Sequence, residues 1–211
     1  MLIQKHYFHN NKKWHIIRQS NKKCYNTFEK ERLYIIMFLS RDNVVIRRAR
    51  PSDAVLLANW WANGKIMAHA GFPNGIKTNI PELTKRIIDQ NAVENPQNVL
   101  LIIEISGIPV GEMNYNIKDD GTAEIGIKIC DVNYQNKGYG TISIKLLAGY
   151  LFDKKKIKKI VLDTNINNER AKHVYEKIGF IKTAINENAF IDQLGNWQTA
   201  VCYELSPNNL K

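Results

Sequence analysis

Tyr134-Gln135-Asn136-Lys137-Gly138-Tyr139-Gly140-Thr141 stands between an alternating apolar run, Ile125 to Ile129, and a long amphipathic run, Ile142 to Phe152. That order reads as strand, glycine-rich turn and helix. The start of a helix exposes backbone N–H groups without intrahelical partners and the positive end of the helix dipole, so it suits a phosphate. Glycines at 138 and 140 let the backbone approach such a group with no Cβ between them. The stretch lacks the Gly-Lys-Ser/Thr ending of a P-loop and the third glycine of a dinucleotide fingerprint, so neither nucleotide hydrolysis nor hydride transfer is indicated. A simple strand-to-helix turn is the plain structural alternative for the glycine pair taken alone.

Working outward, Thr122–Cys130 forms the strand before the turn, with Asp119-Asp120-Gly121 as the hairpin turn that precedes it. Two further strands, Asn98–Ile105 and Val110–Ile117, are expected around a turn at Ser106-Gly107-Ile108-Pro109. Upstream, a first core strand covers 44–49, and Arg50-Pro51-Ser52-Asp53 starts a helix with Ser52 or Asp53 as cap. That helix carries Val55, Leu56, Leu57, Trp60 and Trp61 and is expected to end at Gly64. A loop spans 68–79, and Pro81 opens a helix bearing Leu83, Ile87 and Ile88 that stops before Asn95-Pro96. Downstream come a helix over 141–153, a strand over Lys159–Thr164, and a helix over 169–178 capped by Asn168 and ended by Gly179. Strands Phe180–Ala184 and Gln198–Leu205 close the series. Early helices, a central meander and a final strand-helix-strand run predict a mixed α/β (α+β) sheet, not an all-parallel doubly wound one.

Residues 1–40 differ in character: they are rich in Asn, Lys and His and show no sustained period. The segment from Tyr25 to Phe38 is compatible with a short helix or strand. The reading is a basic extension over 1–40 before a domain over 41–211, with Met37 as an alternative start. The net charge is +10, but residues 1–36 hold eight Lys/Arg against Glu29 and Glu31, a surplus of +6 that leaves +4 for the rest. The remainder is only mildly basic, and Lys154-Lys155-Lys156 with Lys158 and Lys159 sits where cations complement a helix C-terminus. Nucleic acid is therefore not the expected partner. No apolar run approaches the ~18 residues of a membrane span, and no signal-peptide pattern opens the chain, so a cytoplasmic location is expected. Cys24, Cys130 and Cys202 form no CxxC pair, and His6, His9, His15, His69 and His173 form no HExxH pattern. Neither a metal site nor a disulfide framework is indicated.

A second element narrows the phosphate. Asn168-x-x-Ala171-x-x-x-Tyr175-x-Lys177-x-Gly179-Phe180 begins 28 residues after Gly140. Together with Gln135-x-x-Gly138-x-Gly140, it resembles the acyl-CoA-binding core of the GNAT superfamily of N-acetyltransferases. The resemblance covers roughly residues 44–205, and within the superfamily it extends to the aminoglycoside 6′-N-acetyltransferases and the ribosomal-protein-alanine acetyltransferases. It implies a mostly antiparallel central sheet flanked by helices, with a splayed strand pair at the acetyl-CoA site. It also implies that the backbone from Gln135 through Asn136, Lys137, Gly138, Tyr139 and Gly140 to Thr141 wraps the CoA pyrophosphate, with the Thr141 hydroxyl and the Lys137 charge able to add to it. Ile129, Cys130 and Val132 are, by the same resemblance, the positions that pair with the pantetheine arm; many members carry Pro where this chain has Val132. Asn168 corresponds to an Asn that contacts the cofactor, and its other role is that of a helix N-cap. Tyr175 corresponds to a Tyr that protonates the departing thiolate, and its other role is that of a core aromatic.

Attack on a thioester requires a neutral amine, whereas a lysine-like amine is mostly protonated at neutral pH, so a base or a water chain must take a proton. Alternation sets Glu124, Gly126, Lys128 and Cys130 opposite Ile125, Ile127 and Ile129. Glu124 is the leading candidate for the base and Glu112 the second; an ordinary ion-paired strand carboxylate is the alternative for both. The oxyanion donor is expected to be a backbone N–H near the splay, at Cys130. Trp60, Trp61, His69 and Phe72 are expected near the acceptor wall. The activity expected is acetyl-CoA-dependent transfer to a primary amine by direct attack in a ternary complex, in a monomer or homodimer. The acceptor is either a small cationic amine, aminoglycoside- or polyamine-like, to which Glu112, Asp119, Asp120, Glu124, Glu187 and Asp192 are suited, or a protein amine. The alternative is a catalytically silent CoA-binding sensor or scaffold. A third reading, nucleic-acid binding through residues 1–36, predicts affinity that falls steeply with salt.

Overall fold

The computed structural model describes the backbone at residues 3–9, 12–19 and 34–211, and side chains from Leu39 onward. Its strands are β1 (Ile3–His9), β2 (Lys12–Gln19), β3 (Tyr34–Arg41), β4 (Val44–Arg48), β5 (Asn98–Ile105), β6 (Ile108–Ile117), β7 (Thr122–Ile129), β8 (Lys159–Asn165), β9 (Ile181–Ile191) and β10 (Trp197–Leu205). They form one sheet in the order β1-β2-β3-β4-β5-β6-β7-β8-β10-β9. Every neighbouring pair is antiparallel except β7 and β8. The mixed sheet expected from the sequence is therefore present.

The helices are α1 (Ala54–Ala62), α2 (Gly64–Met67), α3 (Ile80–Ala92), α4 (Tyr139–Asp153) and α5 (Glu169–Ile178). They cover both faces of the sheet. On one face, Ile144, Leu147 and Leu151 of α4 and Tyr175 and Ile178 of α5 pack on Ile46, Leu101, Met113, Tyr115, Ile125 and Leu162. On the other, Ala54 and Leu57 of α1 and Leu83 and Ile87 of α3 pack on Ala49, Leu100 and Ile102. β5 is buried from both sides, which is why its sequence Val99-Leu100-Leu101-Ile102-Ile103 is continuously apolar instead of alternating. No helix among the described residues is long and apolar enough to cross a membrane.

Several boundaries moved for identifiable reasons. β6 begins at Ile108, two residues before the expected Val110, because Ser106 and Gly107 adopt positive φ (51° and 81°) and close a two-residue hairpin. β9 runs to Ile191, not Ala184; it is an edge strand of the sheet with both faces largely exposed, so no apolar alternation marks it. Gly64 opens the short helix α2 instead of ending α1, and Asn63 Oδ1 caps it by accepting from Lys65 N at 3.0 Å. The glycine is needed for packing: a Cβ there would lie 1.8 Å from the Pro73 carbonyl oxygen.

Over residues 1–40, β1, β2 and β3 are strands where the sequence showed no period. The element expected over 25–38 is described only from Tyr34, as β3; its earlier part and Cys24 lie outside the described residues. Met37 lies within β3, and the ladder with β4 runs from Phe38↔Arg47 to Arg41↔Val44, wholly beyond Met37.

The expected cap at Asp53 is replaced by an ion pair. Arg47, almost fully buried, donates to both Asp53 oxygens at 2.6 and 3.0 Å and to Glu104 Oε1 at 2.7 Å. Asp53 also accepts from Arg50 N at 2.6 Å and makes no cap bond to α1. Burial alone would lower the Arg47 pKa, but the bonds to Asp53 and Glu104 outweigh it and the pKa is raised. Asp53→Ala leaves a buried guanidinium with one carboxylate, and urea unfolding should show a loss of about 3 kcal/mol. An unchanged midpoint would mean that this pair does not hold α1 to the sheet.

Candidate active site

β7 and β8 pair only at Thr122↔Lys159, Ala123↔Ile160 and Glu124↔Val161. Beyond Glu124 the two strands separate, and a cavity of about 900 Å³ opens between them. Ile125, Ile127 and Ile129 of β7 form one wall, and Asp163, Thr164 and Asn165 of β8 form the other. The turn and first residues of α4 close one end.

That end is built for an anion. Gly138 is the N-cap of α4, at φ 81°, and offers no side chain to the helix N–H groups. The first of them with an intrahelical acceptor is Ile142, which donates to Gly138 O at 3.1 Å. The N–H groups of Tyr139, Gly140 and Thr141 are left for a ligand. By contrast, α2, α3 and α5 are each capped by an asparagine side chain. A Cβ on Gly138 would meet no atom within 4 Å, and one on Gly140 would meet only Ile129 Cγ1 at 4.0 Å. Gln135 joins three elements: its Nε2 donates to Ile129 O at 2.8 Å and its Oε1 accepts from Arg170 Nη1 at 2.7 Å. Arg170, which the sequence reading passed over, also lines the cavity.

The expected cofactor residues divide. Ile129, Gln135, Asn136, Gly138, Tyr139, Gly140, Thr141 and Asn168 line the cavity. Asn168 does serve as the N-cap of α5, accepting from Ala171 N at 3.2 Å while Nδ2 donates to Thr164 Oγ1 at 3.1 Å. Cys130, Val132 and Lys137 do not line it. Val132 is exposed in the turn after β7, and the Lys137 ammonium lies 6.0 Å from the centre of the Tyr134 ring. Cys130 is turned away: its N–H donates to Val110 O at 2.8 Å, on the β6 side. Alternation along β7 then sends the N–H and carbonyl of Ile127 and Ile129 toward the gap. The Cys130 N–H, expected as the oxyanion donor, is already bonded within the sheet. Burial and then the Glu112 charge push its thiol up to about 12, which leaves it a poor nucleophile.

Tyr175 lines the cavity from α5, its ring 5.7 Å from those of both Phe180 and Tyr203. Burial, with the Asp163 and Tyr203 charges, pushes its phenol up to about 12. Tyr175 is a buried core aromatic that also lines the cavity. Glu124, however, is not brought to the cavity. It stands where β7 and β8 are still paired, half exposed, with Oε2 3.2 Å from Lys118 Nζ. Glu112 is buried; Oε2 accepts from Trp61 Nε1 at 2.9 Å and Oε1 from Lys128 Nζ at 3.2 Å. It lines a smaller hollow of about 540 Å³ that shares Lys128 with the main cavity.

Asp163, a residue the sequence reading did not single out, lines the cavity from β8, as Glu169 does from α5. The Asp163 side chain is exposed in the open cleft, and desolvation, then the Glu124 charge, raises its carboxyl pKa. A Glu/Asp on the strand five residues before the helix cap was the available signal. Of the expected acceptor wall, only His69 reaches the main cavity, joined by Lys65, Ile66 and Ala70 and by Phe190 of β9. Trp61 lines the smaller hollow, while Trp60 packs on the α1–α3 core. The β9–β10 hairpin is held against this segment: Gln193 N donates to Gly71 O at 2.9 Å, and Gln193 Nε2 to Gly75 O at 2.8 Å.

Comparison with known proteins agrees with this architecture. The family model described as an acetyltransferase (GNAT) domain matches residues 43–181. Among solved structures, a spermidine N-acetyltransferase from Vibrio cholerae, in complex with CoA and spermine, is 22% identical. It covers 79% of this chain and 97% of its own, with a TM-score of 0.69. A ribosomal-protein-S5-alanine acetyltransferase from Vibrio fischeri is 17% identical over 83% of this chain and 99% of its own, also at 0.69. A GNAT-family acetyltransferase from Bacillus anthracis is 20% identical over 81% and 98%, with a TM-score of 0.66. These likenesses establish the shared fold, and the family match spans well over half of the sequence together with its glycine turn and the Asn168 helix start. The chain belongs to the GNAT acetyltransferase family.

Proposed function

We propose that the protein is a cytoplasmic acetyl-CoA-dependent N-acetyltransferase in which a primary amine attacks directly in a ternary complex. The observation that carries this reading is that one cavity joins an uncapped helix N-terminus at α4 to the unpaired edge of β7. The first suits a pyrophosphate; the second offers backbone groups to an amide-bearing arm laid along it as an added strand. Bound acetyl-CoA supplies an acyl group activated by a thiol leaving group.

The chain's own residues supply the rest. The N–H groups of Tyr139, Gly140 and Thr141 hold phosphate oxygens, with the Thr141 hydroxyl beside them. Ile127 and Ile129 align the arm, and an N–H from that edge receives the charge that develops on the carbonyl oxygen. Asp163 accepts the proton that the amine loses as the N–C bond forms. Tyr175, kept protonated by burial, donates to the sulfur as the C–S bond breaks. We assign the base to Asp163 and not Glu124, because Glu124 is held by Lys118 at the closed end of the strand pair. The carboxylates that suited a polycationic acceptor are largely elsewhere: Asp119, Asp120, Glu124, Glu187 and Asp192 do not line the cavity. A silent CoA-binding protein with this fold would bind acetyl-CoA and release no CoA thiol with any amine.

Gly138→Asp places a carboxylate at the phosphate end and a side chain at φ 81°. Acetyl-CoA affinity by calorimetry should fall about tenfold or more; unaltered affinity would remove the phosphate cradle. Tyr175→Phe should lower kcat roughly 100-fold with little change in acetyl-CoA affinity, and an unchanged kcat would leave the residue as core only. A base must be ionised to act, so kcat/KM should fall as pH drops through the raised Asp163 pKa, above the ordinary carboxylate value of about 4. Asp163→Asn should abolish that limb in the pH–rate profile. Retention of the limb there and its loss in Glu124→Gln would assign the base to Glu124.

A further inference from the structure

Two basic side chains without an acidic partner among the described residues, Lys65 and His69, line the cavity with Asp163. The Gly126–Lys128 face of β7 and Asp163 of β8 point away from α4 and α5, toward the segment that carries Lys65 and His69. Lys128 is engaged by Glu112, and both Glu112 oxygens are in turn occupied, one by Lys128 and one by Trp61. Glu169, which lines the cavity from the start of α5, is paired with Lys172 at 2.6 Å. Lys65 and His69 have no acidic partner among the described residues. Asp163 is thus the one carboxylate lining the cavity without a cationic partner among the described residues, and the proposed chemistry uses it. A second ammonium on the acceptor would meet Lys65 as a like charge. An anionic group would find a charged donor in Lys65 and an imidazole in His69.

We propose that the acceptor is a primary amine carrying an anionic group, a carboxylate or phosphate, a few bonds from its nitrogen, with the amine at Asp163 and the anion at Lys65 and His69. The inference rests on the acetyltransferase reading and selects among its acceptors. The transfer step is that already described: the amine proton passes to Asp163, and the thiol leaves protonated.

The test is a matched acceptor panel with the full-length chain, acetyl-CoA and a CoA-thiol readout. It pairs an amino acid with its amide, an aminoalkyl phosphate with the corresponding amino alcohol, and adds spermidine. Rates are compared per concentration of neutral amine, so that differences in amine pKa drop out. At least one anionic member should exceed its uncharged partner in kcat/KM by about tenfold, and the arm that responds names the anion. Lys65→Ala should collapse that ratio and Lys65→Arg restore it. Equal rates within both pairs, a preference for spermidine, or a ratio untouched in Lys65→Ala would overturn the proposal while leaving the acetyltransferase reading standing. Acetyl-CoA binding without thiol release from any amine would overturn both.

Discussion

After Glu124 and Val161 the backbones of β7 and β8 stop pairing, and the rest of β7 is left with N–H and C=O groups that no strand meets. In a sheet where the other neighbours are antiparallel, this is the single parallel pair. Its crossover is α4, whose N-terminus must lie at the end of β7 and whose C-terminus returns the chain to the start of β8. The gap, the open helix start and the cavity are consequences of that one connection. Gln135 holds it in place, bonded at once to Ile129 of β7 and to Arg170 of α5.

Charge follows from packing in the same way. Arg47, Asp53 and Glu104 lock α1 to the sheet, and Glu112 locks Trp61 and Lys128. Each of these carboxylates is bonded to a neighbour in the fold and is thereby removed from acceptor chemistry. Asp163 escapes this because it stands where β8 has lost β7, so no cross-strand cation reaches it. Desolvation in the cleft, then the Glu124 charge, raises its carboxyl pKa.

Most of the fold was legible because its elements carry strong local signals. β5 and α5 fall on the expected residues, the one from a continuous apolar run, the other from Asn168 and Gly179 at its ends. β9 was half missed because an edge strand exposed on both faces has no period to read. Asp53 read as a cap because its spacing suits one, whereas burial beside Arg47 gave it a stronger partner. In the site, the glycine turn and the Asn168 cap were legible from local pattern and Tyr175 through the family resemblance, and all three positions line the cavity. Glu124 and Cys130 were expected at the site and do not line the cavity. Glu124 lies on the expected face but at the closed end of the pair, and the Cys130 N–H faces β6 instead of the gap.

The sequence by itself determined what lies along the chain: the order of elements, the glycine turn that leaves α4 uncapped, and the distance from it to Asn168 and Tyr175. These are local properties, set by backbone freedom, capping and apolar period within a few residues. Only the tertiary structure decided where β7 and β8 part, which carboxylate therefore stands in the gap, and that Lys65 and His69 line the same cavity. Strand divergence and ion pairing depend on residues far apart in the sequence, such as Gln135 with Arg170 and Lys128 with Glu112, and no local pattern encodes them.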